Sequence, residues 1–199
     1  MSAHRRDEYL QAARVDIASG IVHVDLDLTP GIALADAVIG EIDRNRDGSF
    51  SPDEQRDYGR VVLEALTLEI DGTRIRPGVL GSTFPGIEAM RRGEGSIRIR
   101  LAGSLPRLSP GAHQLLLRNL HSPERSVYLA NALAPRGTDI EITAQRRDTN
   151  QTELTIDYLL RGEPARPASG WMLGGLTALL ALSALVLRTL GIAKTSPAR

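Results

Sequence analysis

The chain has 199 residues, with 24 Lys and Arg against 24 Asp and Glu, so its formal net charge is zero. A length of this order suits one domain plus an appendage, and balanced charge without a basic stripe argues against a nucleic-acid partner. Cysteine is absent, which removes disulfide frameworks, thiolate nucleophiles and sulfur metal sites from consideration.

Met1 to Asp7 carries charge but no apolar stretch, so it does not read as a signal peptide. Either an export signal precedes the stated start, for which Ser2-Ala3-His4 would suit the region after a small-residue cleavage site, or the protein is tail-anchored. Ala13, Val15 and Ile17 then alternate with polar residues, and Ser19-Gly20 turns the chain into Val22, Val24, Leu26 and Leu28. Period-two alternation of this kind predicts a hairpin with one buried and one wet face. Pro30-Gly31 ends it. From Ile32 to Ile42, Leu34, Val38 and Ile42 recur at helical spacing, and a second helix is expected over Asp53 to Leu66, with Tyr58 and Val62 on one face.

The β pattern resumes at Leu66-Leu68-Ile70, an Asp71-Gly72 turn and Arg74-Ile75-Arg76. Strand-length segments follow at Ile97 to Leu101, His113 to Asn119, Ser126 to Leu133, Ile140 to Ala144 and Leu154 to Leu159, parted by Pro, Gly, Asn or Asp. Short strands so spaced predict an immunoglobulin-like β-sandwich over residues 1–160, with a helix–loop–helix inserted near its edge at 32–66. Residues 161–169, with Gly162, Pro164 and Pro167, read as a linker. Pro167 to Leu187 is uncharged and begins near Trp171, so a transmembrane helix is expected over 170–190. Arg188, Lys194 and Arg199 lie beyond it without an acid, which assigns the tail 191–199 to the cytoplasm and the domain to the extracytoplasmic side.

Between the two helices the chain reads D-R-N-R-D-G-S-F-S-P-D-E from Asp43 to Glu54. This is the EF-hand pattern for Ca2+. Asp43, Asn45 and Asp47 take positions one, three and five, Ser49 offers its carbonyl at seven, Ser51 serves nine, and Glu54 closes bidentately at twelve. A hard cation wants six to eight oxygens at about 2.3–2.6 Å, and a single loop of this length wraps one. The competing reading is a polar turn between a helix C-terminus and the next N-cap. One loop without a paired partner, with Arg44 and Arg46 beside the ligands, predicts weak affinity and a structural ion.

The histidines His4, His23, His113 and His121 show no metal-helix spacing, and each reads as a surface or strand residue. A sharper alternative has an N-terminal His4 chelating copper or nickel with His113 or His121. No nucleophile elbow, phosphate loop or dinucleotide fingerprint is present, so no enzyme is expected.

The His4 to Ala12 opening, Leu28-Thr29-Pro30-Gly31, the Asp43 to Glu54 loop and Ser126 to Ala132 together resemble a family of bacterial EF-hand-containing membrane proteins of uncharacterised role. More distantly the chain looks like the extracytoplasmic N-terminal regions of nickel/cobalt exporters and of hydrogenase/urease accessory permeases. The first likeness implies a membrane-anchored calcium-binding module; its partner is left open, with another membrane protein as the candidate. The second implies an accessory of nickel, cobalt or copper transport.

Overall fold

A computed structural model describes residues 8–162. Among them are ten strands and three helices, and the fold is mainly β. The first hairpin is longer than its central alternation suggests, running through β1 (Tyr9–Ala18) and β2 (Ile21–Pro30) in unbroken antiparallel register. Tyr9, Gln11, Ala13, Val15 and Ile17 face inward from β1, and Val22, Val24, Leu26 and Leu28 from β2. The turn between them works because Gly20 takes φ +77° without a Cβ clash.

Helix α1 (Ala35–Ile42) begins three residues later than the helical spacing predicts. Leu34 and Ala35 donate to the carbonyls of Gly31 and Ile32, a tight turn that lifts the chain off β2 before the helix starts. Helix α2 (Pro52–Glu64) stops short of Leu66, which instead opens β3 (Leu66–Ile70). A left-handed Asp71-Gly72 pair, φ +48° and +76°, joins β3 to β4 (Thr73–Ile75) as a primed hairpin turn. Neither β5 (Gly78–Thr83) nor α3 (Ile87–Arg91) was expected; β5 is almost wholly exposed and shows no alternation for periodicity to detect. The remaining strands are β6 (Ile97–Ser104), β7 (Gly111–Asn119), β8 (Ser126–Ala132), β9 (Ile140–Arg147) and β10 (Glu153–Leu160).

The strands form two five-stranded sheets, in the orders β5-β6-β2-β1-β8 and β4-β3-β7-β10-β9. Their inner faces share one apolar core. At Gly103 of β6 a Cβ would lie 2.7 Å from Ile75 and 3.6 Å from Leu68 of the facing sheet, so this glycine permits close approach of the two layers. One pairing is parallel, β1 with β8. β8 is an edge strand, and its open backbone is met by β9: Arg147 Nε donates to the Ala130 carbonyl (2.7 Å) and Gln145 Oε1 accepts from the Ala132 amide (3.0 Å). Such capping keeps an edge from recruiting another chain.

The helix pair is not an ornament near a sheet edge, as the sequence suggests. It connects β2, the middle strand of one sheet, to β3 of the other, so it forms the crossover between the layers. Among the described residues no helix is long and apolar enough to cross a membrane. The expected spanning helix (170–190), the tail and His4 lie outside the described residues.

Candidate metal centre

The two helices present the loop because each buries one side. Ala35, Val38, Ile39 and Ile42 form the inner stripe of α1, and Tyr58, Gly59 and Val62 that of α2. α2 starts sharply. Ser51 is its N-cap, Pro52 occupies the first turn, and Ser51 and Glu54 complete a reciprocal capping box.

Each expected ligand residue is engaged within the loop. Asp43, only 5% exposed, accepts from the Asp47 amide at Oδ1 (3.1 Å) and from the Gly48 amide at Oδ2 (3.0 Å). Asn45 Oδ1 accepts from the Asp47 amide (3.0 Å), and its Nδ2 donates to Asp47 Oδ2 (2.9 Å). Asp47 Oδ1 accepts from the Ser49 amide (2.9 Å) and hydroxyl (2.8 Å). Carboxylate or amide oxygens at positions one, three and five thus each turn back onto amides further along the chain, the local folding that Asp and Asn favour. Gly48 sits at φ +83° where the bend falls, and Arg46 at φ +60°.

Glu54 reaches across from the other helix. Its Oε1 accepts from the amides of Arg44 (2.9 Å) and Asn45 (3.4 Å), and its Oε2 from the amide (3.0 Å) and hydroxyl (2.7 Å) of Ser51. Loop position twelve is thereby drawn against positions two, three and nine. Hydrogen bonds led by the Ser51 side chain hold the Glu54 carboxyl below its ordinary range, and those led by Ser49 and then Asn45 do the same for Asp47. Both are therefore anionic at neutral pH. Phe50, at position eight, packs edge-on against Phe84 (5.9 Å) and so ties the loop to the segment that follows β5. Arg44 pairs with Asp57 of α2 (3.4 Å).

Among the described residues no three His, Cys, Asp or Glu side chains are gathered in a metal-holding arrangement. In the loop the carboxylates instead lie on backbone amides. The donor set still fits a hard cation, since it is all oxygen; Asp43 keeps further lone pairs beyond its one hydrogen bond per oxygen, whereas Glu54, with two on each oxygen, must give some up.

The described histidines, His23, His113 and His121, do not converge. His23 lies on β2 on the face opposite the core. His113 is held at both ring nitrogens by acceptors, Asp71 Oδ2 (2.7 Å) and the Ser109 carbonyl (2.7 Å), and its pKa is raised, first by the Asp71 bond. An imidazole donating from both nitrogens has no lone pair for a metal. His121 is neither surface nor strand, contrary to expectation: it is 4% exposed, in the loop after β7. Around it lies a buried polar network of Tyr9, Gln11, Tyr58, Asn119, Ser126 and Tyr128 that sequence reasoning missed. Its members come from four elements and partner across up to 115 residues, so no local spacing marks them.

No family model matches the chain, and no curated protein matches it.

Proposed function

We propose that the protein is a membrane-anchored calcium-binding module in which one ion, taken by the Asp43 to Glu54 loop, rigidifies the crossover between the two sheets. One observation carries this reading: the Glu54 carboxylate, delivered by the first turn of α2, already closes on the amides of residues 44 and 45. The last ligand position is thus drawn against the start of the loop, at positions two and three. Asp43, Asn45 and Asp47 would supply side-chain oxygens, Ser49 its carbonyl, Ser51 its hydroxyl or a water, and Glu54 both oxygens. The ion supplies charge neutralisation and cross-linking.

Binding asks Glu54 to exchange some of its four hydrogen bonds for metal contacts, which lowers affinity. With a single loop as well, a Kd in the range of extracellular modules, about 10⁻⁴–10⁻³ M, is expected. An extracytoplasmic site of that class stays filled. The uncharged run before Arg188, and the basic residues after it, support single-pass anchorage with residues 1–160 outside the cytoplasm. Two sheets on one core support the immunoglobulin-like sandwich as the carrier, and another membrane protein is its expected partner.

Calorimetric titration of the detergent-solubilised full chain tests the reading, with wild type beside Glu54→Gln and nickel as the competing ion. Calcium heat in wild type alone supports it. Nickel heat in both proteins without any calcium heat replaces it with transition-metal handling.

A further inference from the structure

Four aromatic contacts lead from the loop into the sandwich. Phe50 meets Phe84 at 5.9 Å between centroids, Phe84 meets Tyr58 at 6.1 Å, Tyr58 meets His121 at 5.6 Å, and His121 meets Tyr9 at 5.9 Å. All four are edge-to-face, the arrangement the ring quadrupole favours. Along the same path the Tyr9 and Tyr58 hydroxyls bond at 2.6 Å, and the Tyr58 hydroxyl meets His121 Nε2 at 3.1 Å.

His121 has a fixed side and a working side. Its backbone is clamped to the sheets: the carbonyl accepts from Gln11 Nε2 (2.7 Å), Tyr128 Oη (2.9 Å) and Ser126 Oγ (3.2 Å), and the amide donates to Asn119 Oδ1 (3.0 Å). Its ring, so held, grips Tyr58 of α2. Tyr58 stands one helical turn after Glu54, so both occupy the same face of α2, and both are buried. Tyr58 and Glu54 are thus carried by adjoining turns of one helix.

We infer that His121 is a positioning residue for the cation site, its neutral ring holding Tyr58 and α2 where Glu54 can close the loop, so that calcium binding and protonation of His121 oppose one another. This rests on the calcium reading above. With the neutral ring's Nε2 taken as the acceptor of the Tyr58 hydroxyl, protonation turns Nε2 into a donor and the Tyr58–Tyr9 hydroxyl chain must reverse. The surroundings are poor in compensation. Facing the ring are Tyr9 from β1, Tyr58 from α2, Glu41 from α1, Arg125 and Glu124 from the loop before β8, and Tyr128 from β8. Glu41 is already bonded to Arg125 (2.5 Å), whose guanidinium lies over the Tyr9 ring. Burial accordingly pushes the His121 pKa down. The sign follows. What neutral His121 contributes is complete above about pH 6.5, the ordinary histidine value, and is lost as pH falls toward the lower folded value.

Two measurements on the full chain test this. Imidazole NMR titration of wild type, with and without saturating calcium, should show the His121 midpoint moving down when calcium is bound while His113, at the other end of β7, stays put. Calcium calorimetry at about pH 7.5 and about pH 5.8 should show wild type losing more affinity than His121→Phe, which keeps the ring contacts but cannot titrate, by a factor below about six, the ceiling for a single group whose pKa lies under 6.5. An unmoved midpoint, or equal losses in the two proteins, overturns the inference and leaves the calcium site standing. Absence of calcium heat in wild type at both pH values overturns the calcium reading and the inference with it. If His121→Phe does not fold, the wild-type titration decides alone.

Discussion

The two sheets and the helical crossover that joins them are held by different chemistry. The sheets are held redundantly, since every inner position of β2 and β6 up to Gly103 buries an aliphatic side chain against several others, and the backbone ladders of β2 with β1 and with β6 run without a break. The loop between α1 and α2 is held by carboxylates on amides, with Phe50 as its apolar tie. A region stabilised by non-directional burial tolerates small shifts. A region stabilised by a few directed bonds has discrete alternatives, and an ion that competes for the same oxygens can select among them.

The largest effect should come from breaking the first region. Leu26→Ala, at a fully buried position on a central strand, should cost about 2–5 kcal/mol of global stability by denaturant unfolding, through lost burial and the cavity left behind. Calcium should still protect the variant in proportion to its affinity. Glu54→Gln should reverse the pattern. Glutamine still serves the capping box with Ser51 but turns its amide nitrogen toward the Arg44 and Asn45 amides, so calcium-free stability should fall by less than for Leu26→Ala, while calcium affinity falls on the order of 100-fold for lack of the bidentate carboxylate. A large fall in calcium-free stability would show that Glu54 is chiefly structural.

Smaller changes probe the junction. Tyr58→Phe keeps the rings but removes the hydroxyl between Tyr9 and His121, leaving buried polar atoms short of a partner, and should cost about 1–3 kcal/mol. Ser51→Ala deletes the N-cap oxygen and should cost about 1 kcal/mol, with hydrogen exchange speeding first in the opening turn of α2. Acid separates the two regions as well. Asp47 and Glu54 have folded pKa values below the ordinary 3.8 and 4.5, so what they contribute is complete above pH 4.5 and is lost only as pH falls further. Calcium-free unfolding curves should therefore lose the His121 contribution first, below about pH 6.5, and the loop contribution second.

What the sequence determined by itself is whatever depends on neighbours a few residues apart. The β1–β2 hairpin, the Asp71-Gly72 turn and the twelve positions from Asp43 to Glu54 could be read because side-chain alternation, left-handed turn residues and loop ligand spacing are local properties of the chain. Strand ends proved less legible. Tyr9 and Gln11 belong to β1 because both β2 and β8 pair with them, and Leu66 leaves α2 because β7 offers it a ladder. Tertiary structure alone decided that β1 pairs in parallel with β8, that the exposed segment Gly78–Thr83 is a strand, and that the helix pair bridges two sheets. It also decided that His121, which reads as a surface or strand residue, is buried against Tyr58 in the loop after β7. These facts join residues dozens of positions apart, and the free energy that brings them together is the burial of a shared core, to which no short window of sequence has access.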